Sequence, residues 1–584
     1  MCGICGVRSD KWNALHSTQL MVDALRHRGP DDHGVFVSGD IALGHTRLSI
    51  IDLAGGHQPI FSEDRSVVLI FNGEIYNYKD LRRELETKGH QFCSHTDSEV
   101  IIHLYEQEGI DCLQKFNGMF AFALYDSRRD VLLLARDRVG IKPLYYYWYN
   151  GIFTFSSEIQ ALTRIPEIRK GLTLNHHAIW HYFSLLYIPS PLTVYNEIAA
   201  LPPAHYLWLE RGYLKLDCYW KPNIHRKQWA DIDQCADELD ALITDSVRLH
   251  MQSDVPYGAY LSGGVDSSLI VTAMAGQSEG PVKTFTVRVC DDELDEGPFA
   301  REIVERYQTV QHWLEVDMID TELLTNLILR FGQPFADSSL IPTYLISQKI
   351  RSAVKVALGG DGGDELFAGY NKYDRVLQPR TTESSPSPVE LAFFRVPTPE
   401  KRRIFSDDFL GTTPEDTFEF VCHLCYSEPR NDFDLLRQLD LRVFLESDIL
   451  TKVDVMSMAN SLEARVPLLD HRIVEFGWQL PQDYLVANGR KKVLLKHLLA
   501  RTMSEAFVNR PKVGLMLPVN RWVEGPVEEM YQAALTSPKL AQTGCFNREG
   551  LQQVLQEHLR SEKDMGYLIF AIVVFYLWYE HQEG

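Results

Sequence analysis

Residues 257–268 read YGAYLSGGVDSS, and this stretch decides the fold of most of the chain. It predicts a strand over 257–261, a glycine-rich turn and then a helix. Glycines let the backbone approach an anion, and serine hydroxyls and helix N-terminal N–H groups point toward it. A plain strand–helix turn is the alternative, but Asp266 can hold a cation, which favours a phosphate site. No lysine follows the glycines, so this is not a GxxxxGK[ST] loop.

The sequence around this loop alternates between strands and helices. Strands are predicted over 257–261, 283–289, 311–316 and 354–358, and helices over 236–250, 298–307 and 341–351. Such alternation is typical of a doubly wound parallel sheet. From about residue 390 the pattern is mainly helical. We therefore predict an α/β unit with a helical C-terminal part.

A second glycine-rich loop, LGGDGGDELFAGY at 358–370, follows the predicted strand 354–358. Because ligands bind at the carboxyl ends of parallel strands, this loop and the Ser262 loop should face one crevice. Asp364 can join Asp266 on Mg²⁺, which prefers carboxylate and phosphate oxygens. A flexible acidic loop is the alternative, and the carboxylate spacing disfavours an EF-hand.

The first 190 residues show hairpins interleaved with helices. Strands are predicted over 67–71, 120–125, 131–136, 145–149 and 152–155, and helices over 79–88 and 97–108. Asn150-Gly151 between the last two strands is a strong hairpin signal. The pattern predicts an α+β domain built on antiparallel sheets. Proline-containing segments at 188–191 and 201–203 mark the transition to the α/β unit.

The N-terminus carries a candidate nucleophile. Removal of Met1 would leave Cys2 with a free α-amine, whose pKa of about 8 lets it take the thiol proton. Asn72 and Gly73, after a predicted strand, are candidate N–H donors to an oxyanion. Arg47 and Asp97 suit the carboxylate and ammonium of an amino-acid substrate. Each residue alone would be an ordinary terminal, surface or structural residue, but their occurrence together favours a site.

Five segments jointly resemble the N-terminal-nucleophile (Ntn) glutaminase domain of class II glutamine amidotransferases: MCGICG at 1–6, RHRGPD at 26–31, HTRLSI at 45–50, NGE at 72–74 and TDSE at 96–99. The resemblance covers residues 2–190 and implies an αββα sandwich. It implies that Cys2, with Asn72 and Gly73, hydrolyses glutamine through a γ-glutamyl thioester and releases ammonia. The glutamine-binding residues it implies are Arg47, Leu48, Ser49, Ile50, Ile51, Asn72, Gly73, Glu74 and Asp97.

Residues 210–584 resemble the synthetase half of asparagine synthetases, an ATP-pyrophosphatase fold that uses MgATP. Besides the two glycine loops, SLEARVPLLD at 461–470, KKVLLK at 491–496 and RPKVG at 510–514 carry the resemblance. Basic groups there are candidates to neutralise departing pyrophosphate, although a Lys-Lys helix alone is usually a solvated face. The resemblance places Mg²⁺ on Asp266 and Asp364, and Asp361, Tyr370 and Lys512 near the reacting groups. The ATP-binding residues it implies are Leu261, Ser262, Gly263, Gly264, Asp266, Ser267, Val287, Gly359 and Gly360.

The implied reaction is amidation of a carboxylate through an acyl-adenylate, with glutamine as the nitrogen donor and AMP and pyrophosphate as products. L-Aspartate is the first expected acceptor. Another carboxylate, in a peptide, a sugar acid or a secondary metabolite, is the second. Many relatives have Asp-Glu-Pro where this chain has Gly332-Gln333-Pro334. This departure near the family's acceptor site leaves the acceptor's identity open.

Composition narrows the function classes. The 58 Lys+Arg and 79 Asp+Glu give a net charge of −21, which argues against nucleic-acid partners such as tRNA. Ten cysteines are too few for a disulfide scaffold, and the two C-x-x-C pairs lie too far apart for a zinc ribbon. The apolar run 565–579 is short for a membrane span.

We expect a cytoplasmic enzyme with small-molecule substrates and no membrane partner, and leave a homodimer open. Three rival functions are disfavoured, because each leaves one intact set of motifs without a purpose. They are a plain Ntn hydrolase, a β-lactam-forming relative and a non-catalytic scaffold.

Overall fold

The computed structural model describes residues 1–225, 227–288, 297–315, 321–378, 387–412, 416–510, 523 and 525–582. The strands in this part are β1 (Gly3–Arg8), β2 (Asp32–Ser38), β3 (Ile41–Arg47), β4 (Ile60–Phe61), β5 (Val67–Ile75), β6 (Gly118–Asp126), β7 (Val131–Arg136), β8 (Tyr145–Tyr149), β9 (Ile152–Ser156), β10 (Ile198–Ala200), β11 (His205–Glu210), β12 (Tyr213–Cys218), β13 (Tyr257–Tyr260), β14 (Lys283–Arg288), β15 (Val310–Glu315), β16 (Val356–Leu358), β17 (Glu463–Arg465), β18 (Val486–Ala487) and β19 (Arg490–Lys491).

The first twelve strands form two antiparallel six-stranded sheets, in the orders β10-β8-β9-β1-β3-β2 and β12-β11-β7-β6-β5-β4. Alternate residues of each strand face the other sheet, so that Ile4 and Leu43 of one sheet and Ile70 of the other share one buried cluster. The helix Ala14–Ala24 packs on β1 and β3, and the helix Glu99–Glu108 packs on β5. The predicted αββα sandwich is confirmed.

Further helices complete this unit. They span Tyr78–Thr87, Ile159–Leu162, Pro166–Gly171 and His176–Leu185, with a 3₁₀ turn at Gly109–Gln114. Both sheets continue beyond residue 190, because β10 pairs with β8 and β11 pairs with β7. We therefore propose a boundary between the two units after Cys218, where the last antiparallel strand ends.

The second unit is built on a parallel five-stranded sheet in the order β15-β14-β13-β16-β17. The chain runs outward from β13 to β15 and then returns to place β16 on the other side of β13. That reversal makes the gap between the carboxyl ends of β13 and β16 the topological switch point, where α/β sheets bind ligands. Helices accompany this sheet at Ile232–His250, Val265–Ala275, Gly297–Tyr307, Thr321–Arg330, Leu340–Arg351, Gly363–Leu366 and Lys372–Val376. The predicted α/β class is confirmed.

The rest of the described chain is mainly helical, as predicted. Its helices are Pro388–Phe393, Thr398–Arg402, Asp407–Thr412, Thr417–His423, Asp432–Leu439, the π-helical Asp440–Leu450, Thr451–Met458, the 3₁₀ turn Pro467–Leu469, His471–Gln479, Gln482–Leu485, Val493–Leu499, Glu505–Val508, Pro526–Thr536, Pro538–Gln542, Arg548–Leu559 and Gly566–Glu580. The last of these contains the apolar run 565–579 except for its first residue, Met565, and is largely buried. Among the described residues, no helix combines the length and apolarity that crossing a bilayer requires.

Candidate active sites

The first site lies where Cys2 enters β1. Gly3 pairs with Thr46 in the sheet, which brings Cys2 beside Arg47. All predicted glutamine-site residues except Ser49 and Asn72 line the pocket here. The Ser49 N–H donates to Asp31 at 2.8 Å, and Asn72 lies against the Cys2 backbone. The lining residues are Met1, Cys2, Arg47, Leu48, Ile50, Ile51, Gly56, Gln58, Phe71, Gly73, Glu74, Thr96, Asp97, Ser98 and Glu463.

Asn72 holds the nitrogen that would become the α-amine after removal of Met1. The N–H of Cys2 donates to Asn72 Oδ1 at 2.9 Å, and the Asn72 side chain is fully buried. Its Nδ2 has no hydrogen-bond partner in the described chain. A buried amide donor without a partner beside a thiol is suited to receive an oxyanion.

Gly73 is required at the next position by its backbone. Its φ is +153°, and a Cβ there would lie 2.0 Å from the carbonyl oxygen of Met119 on the neighbouring strand. A side chain would therefore push β5 away from β6. Burial raises the pKa of the Cys2 thiol, so a base must take its proton before it can attack.

Arg47 and Asp97 border the pocket with opposite charges. The Arg47 guanidinium donates to the carbonyls of Ile51 and Asp52, at 3.2 and 2.7 Å, which fixes the loop after β3. Asp97 accepts the N–H of Ile75 at 2.8 Å. Burial raises the pKa of Asp97 to about 7, against the effect of that hydrogen bond. A bound ammonium would lower it again.

Two residues from β17 of the parallel sheet complete the first site. Glu463 accepts the N-terminal ammonium at 2.9 Å, with both groups fully buried. Arg465 donates to Glu463 at 2.6 Å and lies 3.0 Å from Glu74 in the pocket. Arg465 thus stabilises acidic groups of the glutaminase site. Its side chain lies at the interface between the two units, with its ion pairs to Glu463 and Glu74.

The second site occupies the switch point of the parallel sheet. In the loop after β13, Ser262 Oγ accepts the N–H of Gly264 at 3.0 Å and lies 3.1 Å from Ser267 Oγ. The loop after β16 lies against it, since a Cβ on Gly360 would come within 2.8 Å of Asp266 Cβ. A Cβ on Gly363 would lie 2.4 Å from the Asp266 carboxyl carbon. The two glycine loops therefore meet in one crevice, as their strand positions predict.

Three further ATP-site candidates surround this crevice. The Leu261 N–H donates to Phe285 at 2.8 Å, which aligns the start of the loop with β14. Val287 lies near the carboxyl end of β14. The Gly359 N–H donates to Arg465 at 2.8 Å, so the loop after β16 is anchored directly to β17.

A lysine lies between the two carboxylates expected to bind Mg²⁺. Lys492 forms ion pairs with Asp364, at 2.7 Å, and with Asp266. Burial alone would lower the pKa of Lys492, but these two carboxylates raise it above its ordinary value. Because both carboxylates converge on one cation, their oxygen atoms fit a Mg²⁺ ion in the same region. Lys492 is only 7% exposed, which corrects the interpretation of a Lys-Lys segment as a solvated face.

The residues expected near the reacting groups have clear partners. Asp361 is held near the Gly359 backbone, and burial raises the pKa of its carboxyl group. The Tyr370 hydroxyl donates to Glu365, whose pKa burial raises to about 7. Lys512 lies outside the described residues. Glu365 had no predicted role, although its position beside Asp364 in the loop was a signal for it.

The departure at 332–334 lies against the first unit. Gln333 is 7% exposed, and its Oε1 accepts the N–H of Val194 at 3.2 Å. Nearby, Asp337 pairs with Lys452, which also acts electrostatically on Asp361. Burial alone would raise the pKa of Asp337, but Lys452 keeps it below its ordinary value. Gln333 therefore serves the interface between units, and Lys452 is an unpredicted cation beside the second site.

Known proteins match the chain along nearly its whole length. The family model "Asparagine synthase" matches residues 238–580, and "Glutamine amidotransferase domain" matches residues 1–220. "Asparagine synthetase [glutamine-hydrolyzing] 1" of Bacillus subtilis is 31% identical, covering 99% of this chain and 96% of that protein. "Asparagine synthetase B [glutamine-hydrolyzing]" of Escherichia coli is 29% identical, covering 87% of this chain and 80% of that protein. The chain belongs to the asparagine synthase family, with a glutamine amidotransferase domain at its N-terminus.

Proposed function

We propose that this chain makes L-asparagine from L-aspartate, with glutamine as nitrogen donor and MgATP as activator. One observation carries the proposal. A single chain holds a Cys2 pocket with an unpartnered amide donor and a switch-point crevice with two converging carboxylates, and β17 touches both. The two relatives named above are both glutamine-hydrolysing asparagine synthetases, and their names support the same activity.

In the first site, the freed α-amine of Cys2 takes the thiol proton, and the thiolate attacks the amide carbon of glutamine. Asn72 Nδ2 and the Gly73 N–H stabilise the oxyanion. The proton held by the amine goes to the departing nitrogen, so ammonia leaves and a γ-glutamyl thioester remains. Water then releases glutamate and restores the thiol. Arg47 and Asp97 hold the α-carboxylate and the α-ammonium of the substrate.

In the second site, the β-carboxylate of aspartate attacks the α-phosphorus of ATP, and pyrophosphate leaves. The backbone of the Ser262 loop and the N-terminus of the helix Val265–Ala275 cradle the phosphates. When bound by Asp266 and Asp364, Mg²⁺ would neutralise phosphate charge. Ammonia then attacks the acyl-adenylate, and AMP leaves as asparagine forms. Asp361, Tyr370 and Lys512 are assigned to positioning the reacting carboxylate and phosphate.

Aspartate is preferred over another acceptor because the main sequence departure has a structural explanation. The Gln333 side chain is bonded to Val194 of the first unit. The Asp337 carboxylate pairs with Lys452, the same lysine that acts electrostatically on Asp361, so an acidic group remains near the second site. The loss of two acids at 332–333 therefore does not argue against an amino-acid acceptor.

The test is pyrophosphate release with MgATP and glutamine, with and without L-aspartate, together with chromatography for asparagine. We expect aspartate-dependent pyrophosphate and an equal amount of asparagine. Glutamate formation without aspartate-dependent pyrophosphate would reject aspartate as the acceptor. Intact-mass analysis is the companion measurement, because a retained Met1 would block the α-amine of Cys2.

A further inference from the structure

Two histidines and two glutamates meet on the outer side of the antiparallel sandwich. His90 follows the helix Tyr78–Thr87, His103 and Glu106 lie on the helix Glu99–Glu108, and Glu63 lies between β4 and β5. His103 is 2% exposed, whereas His90 and Glu63 reach solvent. None of these four residues lines the glutamine pocket. The cluster has no part in the function proposed above.

The two imidazole rings face each other through the same type of nitrogen. His90 Nδ1 lies 3.2 Å from His103 Nδ1. On the far side of each ring, His90 Nε2 lies 3.3 Å from Gln107 Oε1, and His103 Nε2 lies 3.6 Å from Glu99 Oε1. The Gln107 oxygen lies within hydrogen-bond distance of His90 Nε2, so it favours a proton there and a lone pair on His90 Nδ1. Two ring nitrogens 3.2 Å apart hold either a shared proton or a metal ion between them.

Carboxylate oxygens lie around the same point. Glu106 Oε2 is 3.8 Å and Glu63 Oε1 is 4.0 Å from His103 Nδ1, which is too long for hydrogen bonds. In a tetrahedral zinc site, neighbouring ligand atoms are about 3.3–3.4 Å apart, given Zn–N bonds of about 2.0–2.1 Å. The observed distances of 3.2 to 4.0 Å bracket that spacing. Ligand atoms of Glu63, His90 and His103 all lie within 4.8 Å of one another.

A proton is the competing occupant of this cluster. Burial would lower the pKa of His103, but Glu106, Glu99 and Glu63 together raise it to about 9. Arg128, 3.5 Å from Glu106, offsets part of the negative charge. A divalent ion binding to the same nitrogen must displace the proton, which makes the two occupants distinguishable.

We propose that Glu63, His90 and His103 bind one divalent transition-metal ion of the zinc class, with Glu106 adding negative charge beside His103. Imidazole nitrogens and carboxylate oxygens are ligands that Zn²⁺ accepts, and three protein ligands leave the fourth tetrahedral position to a water molecule. Gln107 orients the His90 ring through its Nε2, as partners of metal-binding histidines commonly do. The ion fastens the helix Glu99–Glu108 to the turn between β4 and β5. That helix begins directly after the pocket residues Asp97 and Ser98.

The test is calorimetric titration of Zn²⁺ into the chelator-treated full-length protein at pH 7. The double variant Glu63→Gln/His90→Asn changes the two more exposed ligands, and His225→Asn is the control for an exposed histidine elsewhere. We expect the wild type to bind one equivalent at this cluster, in addition to any zinc held by thiols elsewhere. We expect the double variant to bind that equivalent at least about 30-fold more weakly, and the control to match the wild type.

Thiols elsewhere also bind zinc, but they are shared by all three proteins and cancel in the comparison. Thermal melting with chelator shows whether the double variant folds, and zinc should raise the midpoint of the wild type and the control only. Co²⁺ should give the visible absorption of a tetrahedral site that the double variant lacks. Equal zinc stoichiometry and affinity in the wild type and the double variant would overturn the proposal and leave His103 as a protonated ion-pair partner.

Discussion

The two candidate sites balance their charges in different ways. Around Cys2, the polar groups lie on strand ends and already have fixed partners, such as Asn72 with the Cys2 backbone and Arg465 with Glu74. At the switch point, Asp266 and Asp364 lie in loops and are held by the flexible side chain of Lys492. The first site is preorganised for a small substrate of low net charge. The second must exchange a lysine contact for the charges of its substrate, so it should respond differently to substitution.

The largest expected effect is that of Cys2→Ala, which should abolish the activity of the first site and spare that of the second. Loss of the nucleophile should lower glutamine-dependent asparagine formation at least about 1,000-fold. Ammonia-dependent formation should persist, because none of the predicted ATP-site residues in the described chain lines the Cys2 pocket. Both rates are measured by chromatography of asparagine, with Cys93→Ala as a control at an exposed thiol. Equal loss with both nitrogen sources would mean that the sites are not separable.

Asp364→Asn should give the reverse result. Losing one of two converging carboxylates should lower pyrophosphate release about 100- to 1,000-fold with either nitrogen source. Glutaminase activity without ATP should stay within about twofold. Asp374→Asn is the matched control, because Asp374 pairs with the neighbouring Lys491 at 2.7 Å. Similar pyrophosphate release by the two variants would remove Asp364 from the site.

Glu463→Gln tests whether β17 serves the first site. Removing the charge weakens the buried contact of Glu463 with Arg465, which lies beside Glu74 in the pocket, and this should lower kcat/KM for glutamine hydrolysis about 10- to 30-fold. Ammonia-dependent synthesis should change less. Glu475→Gln, which alters a carboxylate contact with Trp220 away from the Cys2 pocket, should have little effect on glutamine hydrolysis. If the two variants behave alike, Glu463 is merely structural.

The smallest effect concerns pH. The pKa of Asp97, raised by burial to about 7, means that the free site loses its anion as pH falls through that value. The kcat/KM for glutamine hydrolysis should then fall about tenfold per pH unit below 7. Asp97→Asn should be slower and should keep only the shallower decline caused by protonation of the Cys2 α-amine, whose pKa is about 8. A wild-type profile that is flat from pH 5 to 8 would contradict the assigned role of Asp97 in binding the ammonium.

Sequence motifs predicted the parts of each site that lie close together in the chain. The Cys2 segment, Asn72-Gly73 and the glycine loops next to Asp266 and Asp364 all lie where the pattern of strands and turns placed them. Each of these is a local signal, because a strand end or a glycine turn fixes where the following residues lie.

Contacts between distant segments were not predictable from the sequence. Glu463 reaches the N-terminus across 462 residues, and β17 is only three residues long, too short for an alternation signal. Lys492 resembled a solvated lysine until the fold placed it between two carboxylates. The strands β2 and β3 were also missed, because their polar residues and glycines interrupt the apolar alternation. Such contacts depend on packing between units, which periodicity does not report.

The central claim is that one chain passes nitrogen from the Cys2 site to the switch-point site. The most direct measurement supplies glutamine labelled with ¹⁵N in its amide, together with MgATP, L-aspartate and excess unlabelled ammonium. Mass spectrometry then reads the isotope in the product. The account predicts asparagine that carries mainly ¹⁵N at its side-chain amide. Asparagine with the isotope ratio of the bulk ammonium, or no asparagine at all, would contradict it.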